Sequence, residues 1–180
     1  MGQLIMRWKN DGVKTDMPTI TEGVTLKNWT SVTNPVDKWL DIVSFGLSDK
    51  REGVDYYEKM NYCYKAYTPE SCWFFCLNNE EVATITVICD KDAKEGYVHM
   101  VANKPAARGL GIGNLMSKFA VYELKKNGMQ TAYLTSDDWR IPAIKTYLKA
   151  GFTPDLTSEK DFKERWDAIL KIINEKETVK

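Results

Sequence analysis

The chain carries no net charge: 25 lysines and arginines offset 25 aspartates and glutamates over 180 residues. Such a sequence projects no global field toward nucleic acid or anionic lipid, so a polyanion must be held at a local site. Histidine is almost missing, with His99 the sole example, and the four cysteines (Cys63, Cys72, Cys76, Cys89) form no CxxC pair. Cys72 and Cys76 share a face if "CWFFCL" is a strand, but no zinc-type ligand set accompanies them. Buried free thiols and no metal are the expectation. No apolar stretch reaches the length of a membrane span. The apolar run in "MGQLIMRWKN" is too short for a secretory signal, and Met6 stands where a myristoylation motif wants Ser or Thr. A cytoplasmic domain with no nucleic-acid or membrane partner is expected.

What is present is a globular balance, 43% hydrophobic and 28% charged, in a length that suits one domain with a sizeable core. "LIMRW" reads as a strand, followed by a Gly- and Thr-rich connection. "NPVDKWLDIVSF" reads as a helix with Asn34 as cap, Pro35 in the first turn and Asp37 at the positive dipole end. "GVDYYEKMNYCY" is a second helix. "CWFFCL" and "EVATITVICD" form a hairpin about Asn78-Asn79, and "YVHMVAN" is a further strand with Tyr97, His99 and Val101 on one face. Ile112, Leu115, Met116, Phe119 and Ala120 mark a helix stopped by Asn127-Gly128. "TAYLTS" is a strand and "IPAIKTYLKAG" a helix. A last helix carries Phe162, Trp166, Ile169, Leu170 and Ile173 on one side. A helical crossover between the last two strands implies one parallel pair inside an otherwise antiparallel sheet.

The stretch "VANKPAARGLGIGNLM" (101–116) puts glycines at 109, 111 and 113 between a strand and an amphipathic helix. Free N–H groups and the positive end of the helix dipole collect there, glycines admit a ligand to the backbone, and Arg108 adds a cation. That suits a pyrophosphate, although a ligand-free turn leading into a helix would use the same residues. The spacing is wrong for a dinucleotide fingerprint, which needs glycine where Asn114 stands, and no Gly-Lys-Ser/Thr closes a P-loop.

The arrangement R-x-x-G-x-G from Arg108 to Gly113, behind "VANKP", resembles the acyl-CoA-binding motif of the GNAT N-acetyltransferase superfamily. "AIKTYLKAGF" (143–152), with its A-x-x-x-Y-x-x-x-G-F spacing, resembles that family's second half. The resemblance covers about residues 82–152. It implies a mixed α/β (α+β) fold: a central, mostly antiparallel sheet with one parallel, splayed strand pair, flanked by helices. The single domain 1–180 then divides into acceptor-side elements (1–80), an acyl-CoA-binding core (81–155) and a C-terminal helix (156–180).

The resemblance further implies acetyl-CoA as cosubstrate. Its acyl arm would pair with the backbone of Val101, Ala102 and Asn103. Its pyrophosphate would sit on the backbone of Arg108, Gly109, Leu110, Gly111, Ile112, Gly113 and Asn114. A backbone N–H near Val101 would hold the oxyanion. Tyr147 matches the position of the acid that protonates the leaving thiolate, though its spacing also fits a half-buried aromatic beside Ile144 and Leu148. His99 is a candidate base, with water or the carboxylates of Glu95 or Asp137 as alternatives. Arg140 stands where the family often has Asn, and its role is left open between CoA, a carboxylate and surface packing. The acceptor would be a small primary amine, met by the region about residues 34–68 with Trp39, Phe45, Tyr56, Tyr57, Tyr64, Asp49, Glu52 and Asp55. A solvated helix with a packed face has the same composition. Homodimerisation is compatible with such a domain. A non-catalytic acyl-CoA sensor of the same fold is the rival reading, and a dinucleotide-dependent oxidoreductase is disfavoured by the glycine spacing.

Overall fold

The computed structural model describes residues 2–48 and 51–178, with side chains placed to Glu175. Seven strands form one sheet: β1 (Leu4–Lys9), β2 (Val24–Asn28), β3 (Cys72–Leu77), β4 (Glu80–Asp90), β5 (Glu95–Asn103), β6 (Thr131–Ser136) and the short β7 (Thr153–Pro154). Their spatial order is β2-β3-β4-β5-β6-β1-β7. Every pairing is antiparallel except β5–β6, which α3 (Ile112–Lys126) joins as the helical crossover. This is the mixed α/β sheet with one parallel pair that the sequence predicts.

Helices cover both faces. The stripe Ile112, Leu115, Met116, Phe119, Ala120 and Leu124 of α3 packs on one face with Ile144 and Tyr147 of α4 (Ile141–Lys149) and Phe162, Trp166, Ile169 and Ile173 of α5 (Phe162–Thr178). A Cβ at Gly96 would overlap Leu124, so this glycine is what lets α3 settle against β5. On the other face, α1 (Pro35–Val43) buries Trp39, Leu40, Ile42 and Val43, and α2 (Val54–Asn61) adds Tyr57.

Local chemistry explains most boundaries. Asn78 and Asn79 both take positive φ (51° and 68°), the conformation a two-residue hairpin turn requires. Gly128, at φ 76°, ends α3 one residue past its cap Asn127. Asn34 does precede α1, but in a left-handed conformation (φ 52°) and without a side-chain capping bond. Strand β2 went unread because "VTLKN" is an edge strand with only Val24 buried, which leaves little periodic signal.

Strand β5 departs from the predicted side-chain pattern. Ala102 lies opposite Thr84, yet His99 lies opposite Thr86, so β5 carries an extra residue in a bulge. Met100 takes φ 48°, a conformation costing a non-glycine residue about 1–3 kcal/mol. The alternation therefore slips. Val101 packs toward the α3 side, while Tyr97, Met100 and Ala102 belong to the α1–α2 side. The expectation that Tyr97, His99 and Val101 share one face is corrected by this bulge.

Candidate active site: a cleft at the splayed strand pair

Strands β5 and β6 pair only from Glu95/Thr131 to Val98/Leu134. Beyond that point β5 continues to Asn103, held by β4 alone, so the backbone of residues 99–103 has an open edge toward β6. A cleft of about 790 Å³ occupies the gap. Its walls include Val101, Ala102 and Asn103 from the open edge, then Arg108, Gly109, Gly111, Ile112, Gly113 and Asn114, and Tyr147 from α4. Residues predicted from two distant motifs thus meet at one cavity. Leu110 does not line it and is 46% exposed.

The glycine segment has the character of a cradle. Gly109 and Gly111 both adopt φ +78°, and a Cβ at either would meet nothing within 4 Å. Gly111 is the N-cap of α3, so the N–H groups of Ile112, Gly113 and Asn114 have no acceptor within the helix. The N–H of Arg108, by contrast, is already donated to the Pro105 carbonyl at 3.0 Å, so the free run of donors starts after it. Thr146 donates to the Ala143 carbonyl (2.8 Å) and accepts from Ser117 (2.9 Å), pinning α4 against α3 beside the cradle.

Tyr147 is buried to 6% exposure at the cleft wall, and burial pushes its phenol above the ordinary 10. It is a protonated hydroxyl at neutral pH. No protein partner for that hydroxyl is found among the described residues.

Two arginines cross the mouth. Arg108 donates to the Phe45 carbonyl at 3.1 Å, and Arg140 donates to the Gly46 carbonyl at 2.6 Å. Both carbonyls follow the C-terminus of α1, the negative end of its dipole, which favours cations. Arg140 also binds Asp137 at 2.8 Å and lies 4.4 Å from the ring centroid of the exposed Trp139. Phe45, Gly46, Leu47, Trp139 and Arg140 all line the same cleft.

His99 is not on the cleft wall. It is 6% exposed, with Nε2 2.8 Å from the Met60 carbonyl and Nδ1 3.1 Å from the Tyr97 hydroxyl. Burial lowers its pKa to about 4, more than the Met60 bond raises it. Glu95 begins β5 at the end remote from the open edge, paired with Asp90 and Thr131. Asp137 is held by Arg140 and by Gln3 at 3.1 Å.

Of the acceptor-side residues, Trp39 and Tyr57 are core, Tyr56 packs against Trp39, and Tyr64 lies 5.0 Å from both Tyr97 and His99. Glu52 accepts from Ser48, Asp55 sits in the first turn of α2, and Phe45 reaches the cleft. Asp49 lies outside the described residues.

The four cysteines are free thiols, and among the described residues no group of three or more His, Cys, Asp or Glu side chains could hold a metal. No helix of the described residues is long and apolar enough to cross a membrane.

Comparison with known proteins gives a consistent picture. A family model described as the acetyltransferase (GNAT) family matches residues 38–152. Mycothiol acetyltransferase from Nocardia farcinica is 32% identical over 68 residues, 38% of this chain and 22% of that protein. The mycothiol acetyltransferase of Thermomonospora curvata is 33% identical over 58 residues, 32% of this chain and 20% of that protein. The match therefore spans about a fifth of these relatives' length. Among solved structures, a GCN5-related N-acetyltransferase from Sphaerobacter thermophilus overlays with a TM-score of 0.66 at 15% identity, covering 86% of this chain and 50% of that one. The ribosomal-protein-S18-alanine N-acetyltransferase of Escherichia coli overlays with a TM-score of 0.59 at 17% identity, covering 72% and 77%.

Proposed function

On the premise that the chain belongs to the GNAT acetyltransferase family, and is an N-acetyltransferase by that membership, we propose that it moves an acetyl group from acetyl-CoA to the primary amine of a small molecule, by direct transfer in a ternary complex. The observation that carries this reading is the convergence, on one cleft, of an unpaired strand edge, a glycine cradle and a protonated tyrosine.

The three parts divide the work. Residues Val101, Ala102 and Asn103 offer backbone groups to which an amide-containing arm adds like a further strand. The free N–H groups from Gly109 to Asn114 hold the phosphates, with those N–H groups of the Arg108 guanidinium not donated to Phe45. When bound, acetyl-CoA supplies a thioester whose carbonyl carbon is attacked by the amine. A backbone N–H at the bulge near Val101 then holds the oxygen that becomes negative, and loss of one such donor costs about 10²–10³ in rate. The Tyr147 hydroxyl gives its proton to the departing sulfur, and the proton that the amine sheds as the amide forms passes through water in the cleft and restores the phenol. Within this division, residues 1–80 are the acceptor side, 81–155 the cosubstrate core, and 156–180 the segment that carries α5.

The test is release of free CoA thiol from acetyl-CoA with a panel of amines, polyamines, amino acids and aminoglycosides. Turnover with at least one amine is expected. CoA binding without turnover across the panel would favour a sensor of the same fold. A melting temperature raised by NADH or NADPH and not by acetyl-CoA would point to a dinucleotide site.

A further inference from the structure

His99 is fully engaged as it stands. A carbonyl only accepts, so the 2.8 Å contact to Met60 places the proton on Nε2, and Nδ1 is then the acceptor for the Tyr97 hydroxyl. No lone pair remains for the proton of an incoming amine. The two bonds join different parts of the fold. Met60 is the penultimate residue of α2, and its carbonyl is among those a helix leaves unpaired at its C-terminus. Tyr97 is on β5 itself, stacked on Tyr133 of β6 at 4.5 Å and 14°, with Tyr64 closing against both Tyr97 and His99 at 5.0 Å.

The next residue after His99 is Met100, in the left-handed conformation that turns Val101 to the other face. Backbone strain of that kind persists only where its surroundings over-determine it. The side chain one residue before the strain is the one tied at both ring nitrogens.

We propose that His99 is a positioning residue for acetyl transfer: by capping the Met60 carbonyl of α2 and accepting from Tyr97, it holds the Met100 bulge in register, and with it the backbone of Val101 on the cleft wall, where its N–H would meet the oxyanion. This rests on the acetyl-transfer reading above. It makes α2, on the acceptor side, a support for the oxyanion donor rather than only a wall. The phosphates are held by other residues, and the acyl arm shares only the Val101 end of this segment, so His99 acts on the chemical step more than on the affinity for CoA.

The experiment compares three variants of the full chain by kcat, acetyl-CoA KM, CoA dissociation constant by calorimetry, and pH–rate profile. His99→Leu removes both bonds. Its kcat should fall about 10²-fold, the scale of one oxyanion donor, a much larger factor than any rise in the CoA dissociation constant. His99→Gln restores an N–H donor toward Met60 and should recover kcat to within about fivefold of wild type, with the acid limb of the profile unmoved. Tyr97→Phe leaves Nδ1 without its donor and should lower kcat about threefold to tenfold at unchanged CoA affinity.

If His99→Gln is as slow as His99→Leu and loses the acid limb, His99 is a general base and the proposal fails. It fails equally if kcat survives in His99→Leu. Should His99→Leu not fold, His99→Gln and Tyr97→Phe decide: wild-type kcat in Tyr97→Phe, or loss of the acid limb in His99→Gln, overturns the proposal. Wild-type protein that neither binds CoA nor consumes acetyl-CoA fails the acetyl-transfer reading itself, and this proposal with it.

Discussion

His99 and Val101 lie two positions apart on one strand, yet they face opposite sides of the sheet, because Met100 between them takes φ 48° and shifts the register against β4. His99 is tied to α2 on one side, while Val101 reaches the cleft and the α3 layer on the other. A single strained residue therefore lets neighbouring positions serve different layers of the molecule.

Tyr147→Phe removes the only phenol that the described residues place on the cleft wall while leaving the ring in place. A fall in kcat of about 10²-fold is expected, the usual scale for a general acid, with the CoA dissociation constant within about twofold. Because burial raises the pKa of Tyr147, its ionisation should add no basic limb below pH 10. Full turnover of the variant at saturating substrates would remove Tyr147 as the acid.

Gly111→Ala places a Cβ on a residue at φ +78°, at a cost to stability of about 1–2 kcal/mol. It also puts a methyl group into the space where phosphates would meet the N-terminus of α3. The CoA dissociation constant should rise at least about tenfold, as one 1.4 kcal/mol contact is worth that much. Calorimetry reads the affinity and a thermal melt the stability; unchanged affinity would place the phosphates elsewhere.

Arg140→Ala frees the Gly46 carbonyl and leaves the Asp137 carboxylate to Gln3. A charge-assisted hydrogen bond contributes about 1.5–3 kcal/mol, so exchange of the Leu47 and Ser48 amides should accelerate about tenfold or more. Amides of β4 and β5 should keep their protection. Equal acceleration throughout the sheet would mean global destabilisation rather than release of the loop.

Stability should depend on pH through His99. In the folded protein it protonates near pH 4 instead of 6.5, because burial disfavours the cation. The unfolded chain therefore takes up the proton first. Stability is flat above about pH 7.5 and falls as pH drops toward 4, by about 2 kcal/mol between pH 7.5 and 5, the slope approaching 1.36 kcal/mol per unit between the two pKa values. Urea unfolding at pH 7 and pH 5 measures this, and His99→Gln should lose that part of the slope. An equal slope in both proteins would assign it to the carboxylates.

Much of the site was legible because it is written in local patterns. Glycines at 109 and 111 need positive φ, Ile112 to Ala120 repeat with helical period, and Tyr147 follows Ala143 by one turn of α4. Less legible was the role of Arg108. Its own N–H is spent on Pro105 and one guanidinium nitrogen on Phe45, a residue 63 positions away. Likewise Phe45 and Gly46 join the cleft because α1 delivers its C-terminus there, where Gly46 meets Arg140 from the β6–α4 connection.

Local sequence sets the main strands and helices and their class, edge strands β2 and β7 aside: alternating strands, amphipathic helices and one crossover require a mixed sheet with a single parallel pair, since hydrophobic period and turn chemistry are local properties. Tertiary structure alone decided that β1, first in the chain, pairs between β6 and β7 near its end, a choice set by which edges remained to be covered. It also decided on which face each residue of β5 lies. Period-2 alternation puts Val101 beside His99; a bulge held by contacts from α2 and β4 puts them apart, and no window of neighbouring residues contains those contacts.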